Sequence, residues 1–435
     1  MNSRSEVIEW VEGLLPFGIK PGLERMEAML DSLGEPQQKL KTIHIAGTNG
    51  KGSTVSFIRH ILEAEGYSVG TFTSPSIEFF EDRISVNGIP ISEVDLIATA
   101  NRIRPLVEKI SQTELGSPTE FEVITAIAID YFTNIAQPDV VLMEVGLGGR
   151  LDSTNVITPI LSVITSIGYD HMHILGNSLS EIAFEKAGII KPGVPVVSAV
   201  PQLEAKAVIQ NQATTLSSDL YELDKHFTQT LVSIDEQKQV FTYQSENDSF
   251  DVTIQMPGRH QRENAALAIC AVQVLQTTQQ FQINEDSLKT GLFYTTWPGR
   301  FERIEAEPVV ILDGAHNKEG MEALAETLSL HYPDKRYRFV IAATKEKDMD
   351  VLLQPFTNWH ATFTFTSFPF ERAAKAVDLW EQAPVKQKRY SEDWEQVLDE
   401  ERSSTQLDEV FIICGSLYFI SKVREKWKSL VKLST

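Results

Sequence analysis

One stretch of the chain decides the fold: residues 42–66 read TIHIAGTNGKGSTVSFIRHILEAEG. The first five residues are typical of a short buried strand, and residues 47–53 form a glycine-rich turn. From residue 54 to residue 65 apolar side chains recur at helical spacing, and Gly66 is a C-terminal stop. A second strand at 68–73 completes a βαβ unit, the building block of parallel sheets. The stretch therefore predicts an α/β fold.

The alternation of helices and strands continues along the chain, with one interruption. Between residues 227 and 256 apolar and polar residues alternate between polar turns, which predicts an antiparallel patch at the edge of the domain. The composition changes again at Trp297-Pro298-Gly299, after which strands and helices alternate once more. We therefore expect two domains, residues 1–296 and 297–435. The predicted helices are 96–110 and 119–132, and the predicted strands are 140–145, 161–165, 195–199, 309–313, 338–342, 361–366 and 410–414.

The composition excludes several classes of protein. The chain has 435 residues, a length that favours two or three domains. Its 60 acidic and 39 basic side chains give a formal net charge of −21, which disfavours binding to nucleic acid or to an anionic membrane surface. Two distant cysteines, Cys270 and Cys414, exclude a disulfide framework and a cysteine-based zinc site. Since the N-terminus does not resemble a signal peptide and no apolar run could cross a membrane, we expect a cytoplasmic protein.

The glycine-rich turn is a candidate phosphate site. Backbone N–H groups of such a turn and of the following helix N-terminus form a cradle for anions, and Lys51 can reach the outer phosphates of a nucleotide. The match to the general motif is imperfect, because Ile45 replaces the first glycine and Gly52 replaces the hydroxyl residue that normally holds Mg²⁺. The alternative is a plain tight turn, but the strand and helix on either side favour nucleotide binding.

Another oxygen would then have to bind Mg²⁺, and three predicted strand ends offer candidates. Ser74, Glu144 and His171 each lie at or just after the end of a predicted strand. Ligands of open parallel sheets gather at the carboxyl ends of the strands, and oxygen ligands suit Mg²⁺. Each residue also has a structural explanation. Ser74 could form a turn, Glu144 could pair with Arg150, and His171 could be a surface or hydrogen-bonded histidine.

Nine motifs lie along the chain, and their order is informative. They are GLER from Gly22, GTNGKGS from Gly47, TSP from Thr73, DRISVNG from Asp82, EVGLGGRLDSTN from Glu144, GYDHMHILG from Gly168, AFEKAGIIKPG from Ala183, WPGRFE from Trp297 and DGAHN from Asp313. Together they resemble the folylpolyglutamate synthases, the folate branch of the Mur ligase superfamily of ATP-dependent amide-forming ligases. The resemblance covers nearly the whole chain, and several long motifs in order are far more specific than one loop.

The resemblance implies an α/β fold with a P-loop N-terminal domain of the Mur ligase type and a smaller Rossmann-like C-terminal domain. It implies an enzyme that uses ATP and Mg²⁺, with two ions expected, to add L-glutamate to the γ-carboxyl of a reduced folate. That carboxylate would attack the γ-phosphate to give an acyl phosphate, which the amine of glutamate would then attack. Such chemistry depends on positioning and charge neutralisation. We expect small-molecule substrates, no nucleic-acid or membrane partner, and a monomer.

The resemblance also assigns roles to individual residues on the nucleotide side. Ser74, Glu144 and His171 would hold the metal. Lys186 would be carbamylated, so that its new carboxylate helps to bind a second Mg²⁺. The alternative for Lys186 is an ordinary solvated helix lysine. The expected ATP phosphate ligands are Gly50, Lys51, Gly52 and Ser53, and the expected catalytic residues are Lys51, Lys186 and His316.

Four residues further along the chain would complete the nucleotide side. Asn264 resembles a nucleotide contact, and Arg300 resembles the residue that reaches the γ-phosphate. Asp313 would hold the ribose hydroxyls, and His316 would lie on the nucleotide or glutamate side of the site. The structural alternatives are a polar helix N-terminus for Asn264, an ion pair with Glu302 for Arg300, and a helix N-cap for the last two.

Three segments resemble the folate-binding side of the family. Two further residues, Arg83 and Ser416, could contact anions, but we do not include them in the predicted site. The predicted folate-binding residues are Gly22, Leu23, Glu24, Thr119, Glu120, Phe121, Glu122, Leu151, Asp152 and Ser153.

Three other functions compete with this one. The nearest is a bifunctional enzyme that also joins glutamate to dihydropteroate and so makes dihydrofolate. A second is a cell-wall Mur ligase acting on a UDP-linked precursor. Those chains normally carry an extra N-terminal domain, for which we expect no room before the turn at Gly47. A third is a regulator that binds nucleotide without catalysis.

Overall fold

A computed structural model describes residues 1–14, 18, 20–76 and 78–433, and it divides the chain into two compact units. The first unit comprises Met1–Thr230, Phe241–Thr253 and Glu263–Thr295, and the second comprises Leu231–Val240, Ile254–Arg262 and Thr296–Thr435. The chain therefore passes through the second unit twice before it enters that unit for the last time at Thr296.

The first unit is built on a sheet in which eight strands are found among the described residues. Its order is β4-β3-β2-β5-β1-β6-β7-β8. The run from β2 to β8 is parallel, and β3 and β4 extend it as antiparallel edge strands. The strands are β1 Thr42–Ala46, β2 Val69–Phe72, β3 Ile84–Val86, β4 Ile89–Pro90, β5 Val140–Glu144, β6 Leu161–Ile164, β7 Val196–Ser198 and β8 Leu220–Glu222.

Helices cover both faces of this sheet, as the almost uninterrupted apolar strands require. The glycine-rich turn leads into α3, whose N-cap Gly50 has a φ of 87°, a left-handed conformation that favours glycine. The helices up to residue 294 are α1 Arg4–Glu12, α2 Glu24–Ser32, α3 Lys51–Glu65, α4 Glu93–Ser111, α5 Glu120–Tyr131, α6 Met172–Leu175, α7 Leu179–Ala187, α8 Leu203–Thr215, α9 Arg259–Thr277 and α10 Glu285–Tyr294.

A separate three-stranded sheet lies where the sequence pattern predicts an antiparallel patch. Its strands are β9 Phe227–Ile234, β10 Gln239–Ser245 and β11 Ser249–Ile254, in the order β11-β10-β9. Connections of three or four residues are too short for parallel crossovers, so these strands form successive hairpins.

The second unit contains a sheet with the order β12-β13-β17-β14-β15-β16. Only β12 is antiparallel to its neighbour among the pairs described. The strands are β12 Glu302–Ala306, β13 Val309–Leu312, β14 Arg336–Ile341, β15 Ala361–Phe365, β16 Lys388–Tyr390 and β17 Glu409–Cys414, and the helices are α11 Lys318–His331, α12 Met349–Leu353, α13 Ala376–Gln382, α14 Trp394–Ser404 and α15 Leu417–Leu433.

Most predicted elements lie within a few residues of the observed ones, and two differences have clear causes. The helix predicted from residue 54 begins at Lys51, because the last glycine of the turn already acts as its N-cap. The strand before Asp313 is not the first of the C-terminal part, because β12 precedes it. The strand β12 mixes charged with apolar residues and lies at a sheet edge. It is therefore not found when strands are recognised by runs of apolar residues. No helix among the described residues is long and apolar enough to span a membrane.

Candidate active site

The glycine-rich turn between β1 and α3 is closely packed against two other segments of the first unit. A Cβ at Gly47 would collide with the side chain of Thr165, just after β6. A Cβ at Gly50 would lie 2.5 Å from Oδ1 of Asn264, on α9. The structure thus brings the predicted nucleotide contact Asn264 directly against the predicted phosphate loop.

Hydrogen bonds fix the shape of this turn. The backbone N–H of Thr48 donates to the carbonyl of Ser166 at 2.9 Å, and the N–H of Asn49 donates to the Ser166 hydroxyl at 2.9 Å. The Thr165 hydroxyl donates to the carbonyl of Asn49 at 2.6 Å. The loop after β6 therefore holds the turn in place, and sequence reasoning did not single out either hydroxyl residue.

Lys51 begins α3, and its side chain folds back over the turn. Its Nζ donates to the carbonyl oxygens of Gly47 at 3.0 Å and Thr48 at 3.4 Å. Ser53 is buried in the first turn of the same helix, and the N–H of Thr54 is already used by the carbonyl of Gly50. The ammonium group and the helix N-terminus thus face the same turn, which suits an anion.

The predicted metal ligands all lie at the carboxyl edge of the first sheet. Glu144 is the last residue of β5 and is only 5% exposed, and Ser74 lies two residues after β2, the neighbour of β5. His171 follows β6 with a φ of 50°, and its side chain is 48% exposed, with Nε2 3.9 Å from the Asp170 carboxylate. Among the described residues, no group of three or more His, Cys, Asp or Glu side chains is arranged to hold a metal. The predicted set has only two such residues, together with one serine.

Lys186 is not an ordinary solvated lysine, since it is 4% exposed on α7. Burial, helped by the nearby charge of Lys51, lowers the pKa of its amine to about 7, although Asp170 and Asp152 act to raise it. The amine therefore lies near the phosphate loop, and its charged and neutral forms are both populated around neutral pH. Sequence reasoning missed Asp170, although it belongs to a quoted motif directly before His171.

The loop that follows Glu144 packs against α7. Arg150 forms an ion pair with Glu185 at 2.8 Å and lies over the ring of Phe184. The structural alternative had paired Arg150 with Glu144, but the ion pair described for Arg150 is with Glu185. Gly149 packs so closely on α7 that a Cβ would lie 3.0 Å from the carbonyl oxygen of Lys186. The loop and the buried lysine are therefore in direct contact.

The first two segments predicted to bind folate lie side by side. Arg25 forms a buried ion pair with Glu122 at 2.9 Å and also donates to the carbonyl of Lys20 at 2.9 Å. Glu122 accepts the N–H of Thr119 at 2.7 Å and closes a capping box at the start of α5. The pair thus joins the loop carrying Gly22, Leu23 and Glu24 to the start of α5.

Phe121 and Glu120 contact elements that lead to the metal edge. Arg83 is 8% exposed, forms an ion pair with Glu120, and lies 5.6 Å from the ring centre of Phe121. The same ring packs against Gly146, where a Cβ would lie 2.5 Å from it, and its centroid is 5.8 Å from that of Phe72 at the end of β2. The helix α5 is therefore joined to the ends of β2 and β5.

In the second unit, Asp313 organises the end of β13. Its two carboxylate oxygens accept the N–H groups of Phe301 at 2.7 Å and Ala315 at 2.8 Å. Burial raises the pKa of this carboxyl, while the charge of Arg300 lowers it. The guanidinium of Arg300 lies against Gly314, where any Cβ would collide with it.

The structure gives the neighbours of the residues named in the structural alternatives. Glu302, the suggested partner of Arg300, forms an ion pair with Arg424 at 2.7 Å. The N-cap of α11 is Asn317, whose side chain accepts the N–H of Gly320, and not Asp313 or His316. The His316 ring bonds to the Gly314 carbonyl at 2.7 Å.

Two residues beside Arg300 were missed by sequence reasoning. Burial, helped by the charges of Arg300 and Arg262, lowers the pKa of His260 to about 4. Arg262 is itself held by the Gln239 side chain at 2.7 Å. The sequence did contain a signal for His260 and Arg262, because both lie just before the predicted nucleotide contact Asn264 in the stretch HQREN.

Comparison with known proteins identifies the family. Residues 45–272 match the model of the Mur ligase middle domain, and residues 301–426 match that of the dihydrofolate synthetase C-terminal domain. The dihydrofolate synthase/folylpolyglutamate synthase of Bacillus subtilis (strain 168) is 45% identical over 423 residues, covering 96% of this chain and 98% of the relative. The chain belongs to the folylpolyglutamate synthase family of Mur ligases.

Solved structures of this family have the same fold. A folylpolyglutamate synthase from Thermotoga maritima matches with a TM-score of 0.86 and 33% identity, covering 98% of this chain and 96% of that one. A folylpolyglutamate synthase in complex with AMPPCP and folate matches with a TM-score of 0.83 and 31% identity, covering 97% and 98%. The predicted family, the α/β fold class and the class of enzyme, an ATP-dependent ligase, are thereby confirmed.

Proposed function

We propose that this folylpolyglutamate synthase relative uses ATP to add L-glutamate to the γ-carboxyl of a reduced folate. One observation carries the proposal: the alignment to the Bacillus subtilis enzyme includes 98% of that protein, so both units of the chain are matched. A neighbour that holds AMPPCP and folate together supports the same pair of substrates. The enzyme would work in the cytoplasm as a monomer, with residues 1–296 as the ATP-binding P-loop domain and 297–435 as the Rossmann-like domain.

The reaction would begin at the phosphate loop. The N–H groups of residues 50–53 and the ammonium of Lys51 would hold the ATP phosphates, and Arg300 would stabilise negative charge on the γ-phosphate. The folate carboxylate attacks the γ-phosphorus, the bond to the ADP oxygen breaks, and an acyl phosphate forms. The amine of glutamate then attacks the acyl carbon and loses a proton, and phosphate leaves to give the amide.

Each other predicted residue would have a defined task in these steps. Asn264 would contact the nucleotide beside Gly50, Asp313 would hold the ribose, and His316 would orient the nucleotide or glutamate. The three folate segments would hold the acceptor at the start of α5, where Arg25, Arg83 and the capping box already fix the backbone.

The donor set at the metal edge fits Mg²⁺. A buried carboxylate and a hydroxyl are the hard oxygen ligands that Mg²⁺ prefers, and water can complete an octahedral shell. Glu144, Ser74 and His171 would hold the ion, which would neutralise phosphate charge.

The buried amine of Lys186 fits a carbamate. Carbamate formation needs a neutral amine, and the pKa of Lys186 near 7 supplies one at physiological pH. The amine attacks carbon dioxide, one proton leaves to solvent, and the lysine becomes an anion. That anion could help to hold a second Mg²⁺.

A second activity is favoured by one observation. The Bacillus subtilis relative carries the names of both dihydrofolate synthase and folylpolyglutamate synthase. We therefore propose as the alternative that dihydropteroate is also an acceptor, with the same acyl-phosphate chemistry on its carboxyl group.

An acceptor screen tests both activities. Purified enzyme is given ATP, Mg²⁺ and each acceptor with and without L-glutamate, and ADP release and amide product are measured. We expect glutamate-dependent product with tetrahydrofolates. No product with dihydropteroate would remove the bifunctional alternative. Product only with a UDP-linked acceptor would favour a cell-wall ligase, and nucleotide binding without product from any acceptor would favour a regulator.

A further inference from the structure

His44 is an exception in the central strand of the first sheet. It lies in the middle of β1, between Ile43 and Ile45, and is wholly buried. A polar group in such a place is costly unless it is hydrogen-bonded. Its Nε2 lies 2.8 Å from the hydroxyl of Thr154, in the short helix that follows Asp152.

The hydrogen bonds continue from Thr154 to Asp152. The Thr154 hydroxyl donates to Oδ1 of Asp152 at 2.5 Å, and the same oxygen accepts the Thr154 N–H at 3.0 Å. The second oxygen accepts the N–H of Leu147 at 2.8 Å. In each of these contacts Asp152 is the acceptor; burial raises the pKa of its carboxyl, and the hydrogen bonds from Thr154 and Leu147 lower it.

The direction in which these hydrogen bonds donate fixes the tautomer of the His44 imidazole. Because Thr154 has one hydroxyl proton and gives it to Asp152, it must accept a proton from Nε2–H of His44. The other nitrogen, Nδ1, has no hydrogen-bond partner among the described residues. Burial, helped by the charge of Lys191, lowers the pKa of His44 to about 3, so the ring is neutral.

The series of hydrogen bonds from His44 ends at Asp152, in the loop that carries one predicted folate segment. Asp152 is bonded to Leu147, so the loop between Glu144 and Ser153 is closed on itself. The same loop packs on α7 at Lys186 through Gly149. The hydrogen bonds thus run from the core of β1 to the surface proposed to receive the acceptor.

We propose that His44 is a positioning residue for the acceptor substrate. Through Thr154 it holds Asp152, and with it the loop of residues 146–153, in the shape that binds the acceptor. This inference rests on the proposed function. It predicts that His44 acts on acceptor binding, although it lies three residues before the phosphate loop.

Matched variants separate this role from a general effect on packing. His44→Leu and Thr154→Val remove the connection, whereas Thr154→Ser keeps the hydroxyl. Ile43→Val disturbs the same strand without touching the hydrogen-bond chain. We expect His44→Leu and Thr154→Val to raise KM for the acceptor roughly tenfold and to leave KM for ATP unchanged. A tenfold change corresponds to the loss of one hydrogen bond of about 1.4 kcal/mol. Thr154→Ser and Ile43→Val should remain near wild type.

Two further measurements make the outcome decisive. The double variant should lose no more than either single variant, because both break one chain. Nitrogen-15 NMR of the histidine ring in wild-type enzyme should show the neutral Nε2–H form, independently of activity. If His44→Leu does not fold, the Thr154 pair and the NMR spectrum carry the test.

The failures are distinguishable. Wild-type enzyme that is inert with every acceptor overturns the proposed function. Active wild-type enzyme whose variants raise KM for ATP instead, or leave both values unchanged, overturns only the positioning role, and so does an Nδ1–H spectrum.

Discussion

The two units place cations at the carboxyl edges of their sheets, but the cations differ in kind. In the first unit Lys186 is buried and its pKa is lowered to about 7, so its charge depends on its surroundings. In the second unit the cation beside Asp313 is Arg300, whose guanidinium stays protonated in proteins. The charge of the first group therefore depends on pH near neutrality, whereas that of the second does not.

The largest expected effect concerns the phosphate loop. Lys51→Ala should lower kcat at least about a thousandfold, because the phosphates lose their main side-chain cation in the first unit. Initial-rate assays of ADP release would measure this, with the exposed Lys109→Ala as the control. Near-normal turnover would contradict the assignment of the turn as the phosphate site.

A second prediction tests whether the charge of Lys186 is really variable. An unfolded lysine keeps its proton up to a pH near 10.5, but the folded one loses it near 7, so stability should rise with pH across that window. Lys186→Met should therefore be more stable than wild type by a few kcal/mol below pH 7, and the difference should disappear near pH 10.

Urea unfolding of both proteins in carbon-dioxide-free buffer at pH 6, 8 and 10 would measure this difference. Lys109→Met is the exposed control, for which no pH-dependent gain is expected. A stability difference that is constant from pH 6 to pH 10 would be inconsistent with a lowered pKa.

A third prediction concerns the carbamate. Lys186→Ala should lower kcat about a hundredfold, and small carboxylates such as acetate or formate should restore part of the activity by replacing the missing carboxylate. In wild-type enzyme, ¹³C-labelled carbon dioxide should give a carbamate signal that the variant lacks. Unchanged kinetics in the variant would remove the carbamate from the mechanism.

The smallest expected effect lies at the permanent charge. Arg300→Lys keeps the charge but loses the planar guanidinium against Gly314, so kcat should fall about tenfold while the folate KM stays constant. The pH profile should not change, since neither side chain titrates near neutrality. A shifted pH profile would mean that the two edges do not differ as described.

Much of this protein could be predicted from sequence because its signals are local. The strand, turn and helix at residues 42–66 each follow from apolar spacing and glycine, and the strand-end positions of Glu144 and Asp313 follow from the same alternation. The edge strand β12 was missed because its residues are charged. Family resemblance, rather than spacing, supplied the roles of Lys186 and Arg300.

Tertiary structure alone decided the environments of these residues. The pKa of a lysine in α7 falls to about 7 because the fold buries it beside Lys51, and burial of charge depends on neighbours distant in sequence. His44 and Asp152 are joined by a threonine 110 residues after the histidine, which no periodicity reveals. Sequence determined which elements form, whereas long-range packing determined which side chains meet and how they are charged.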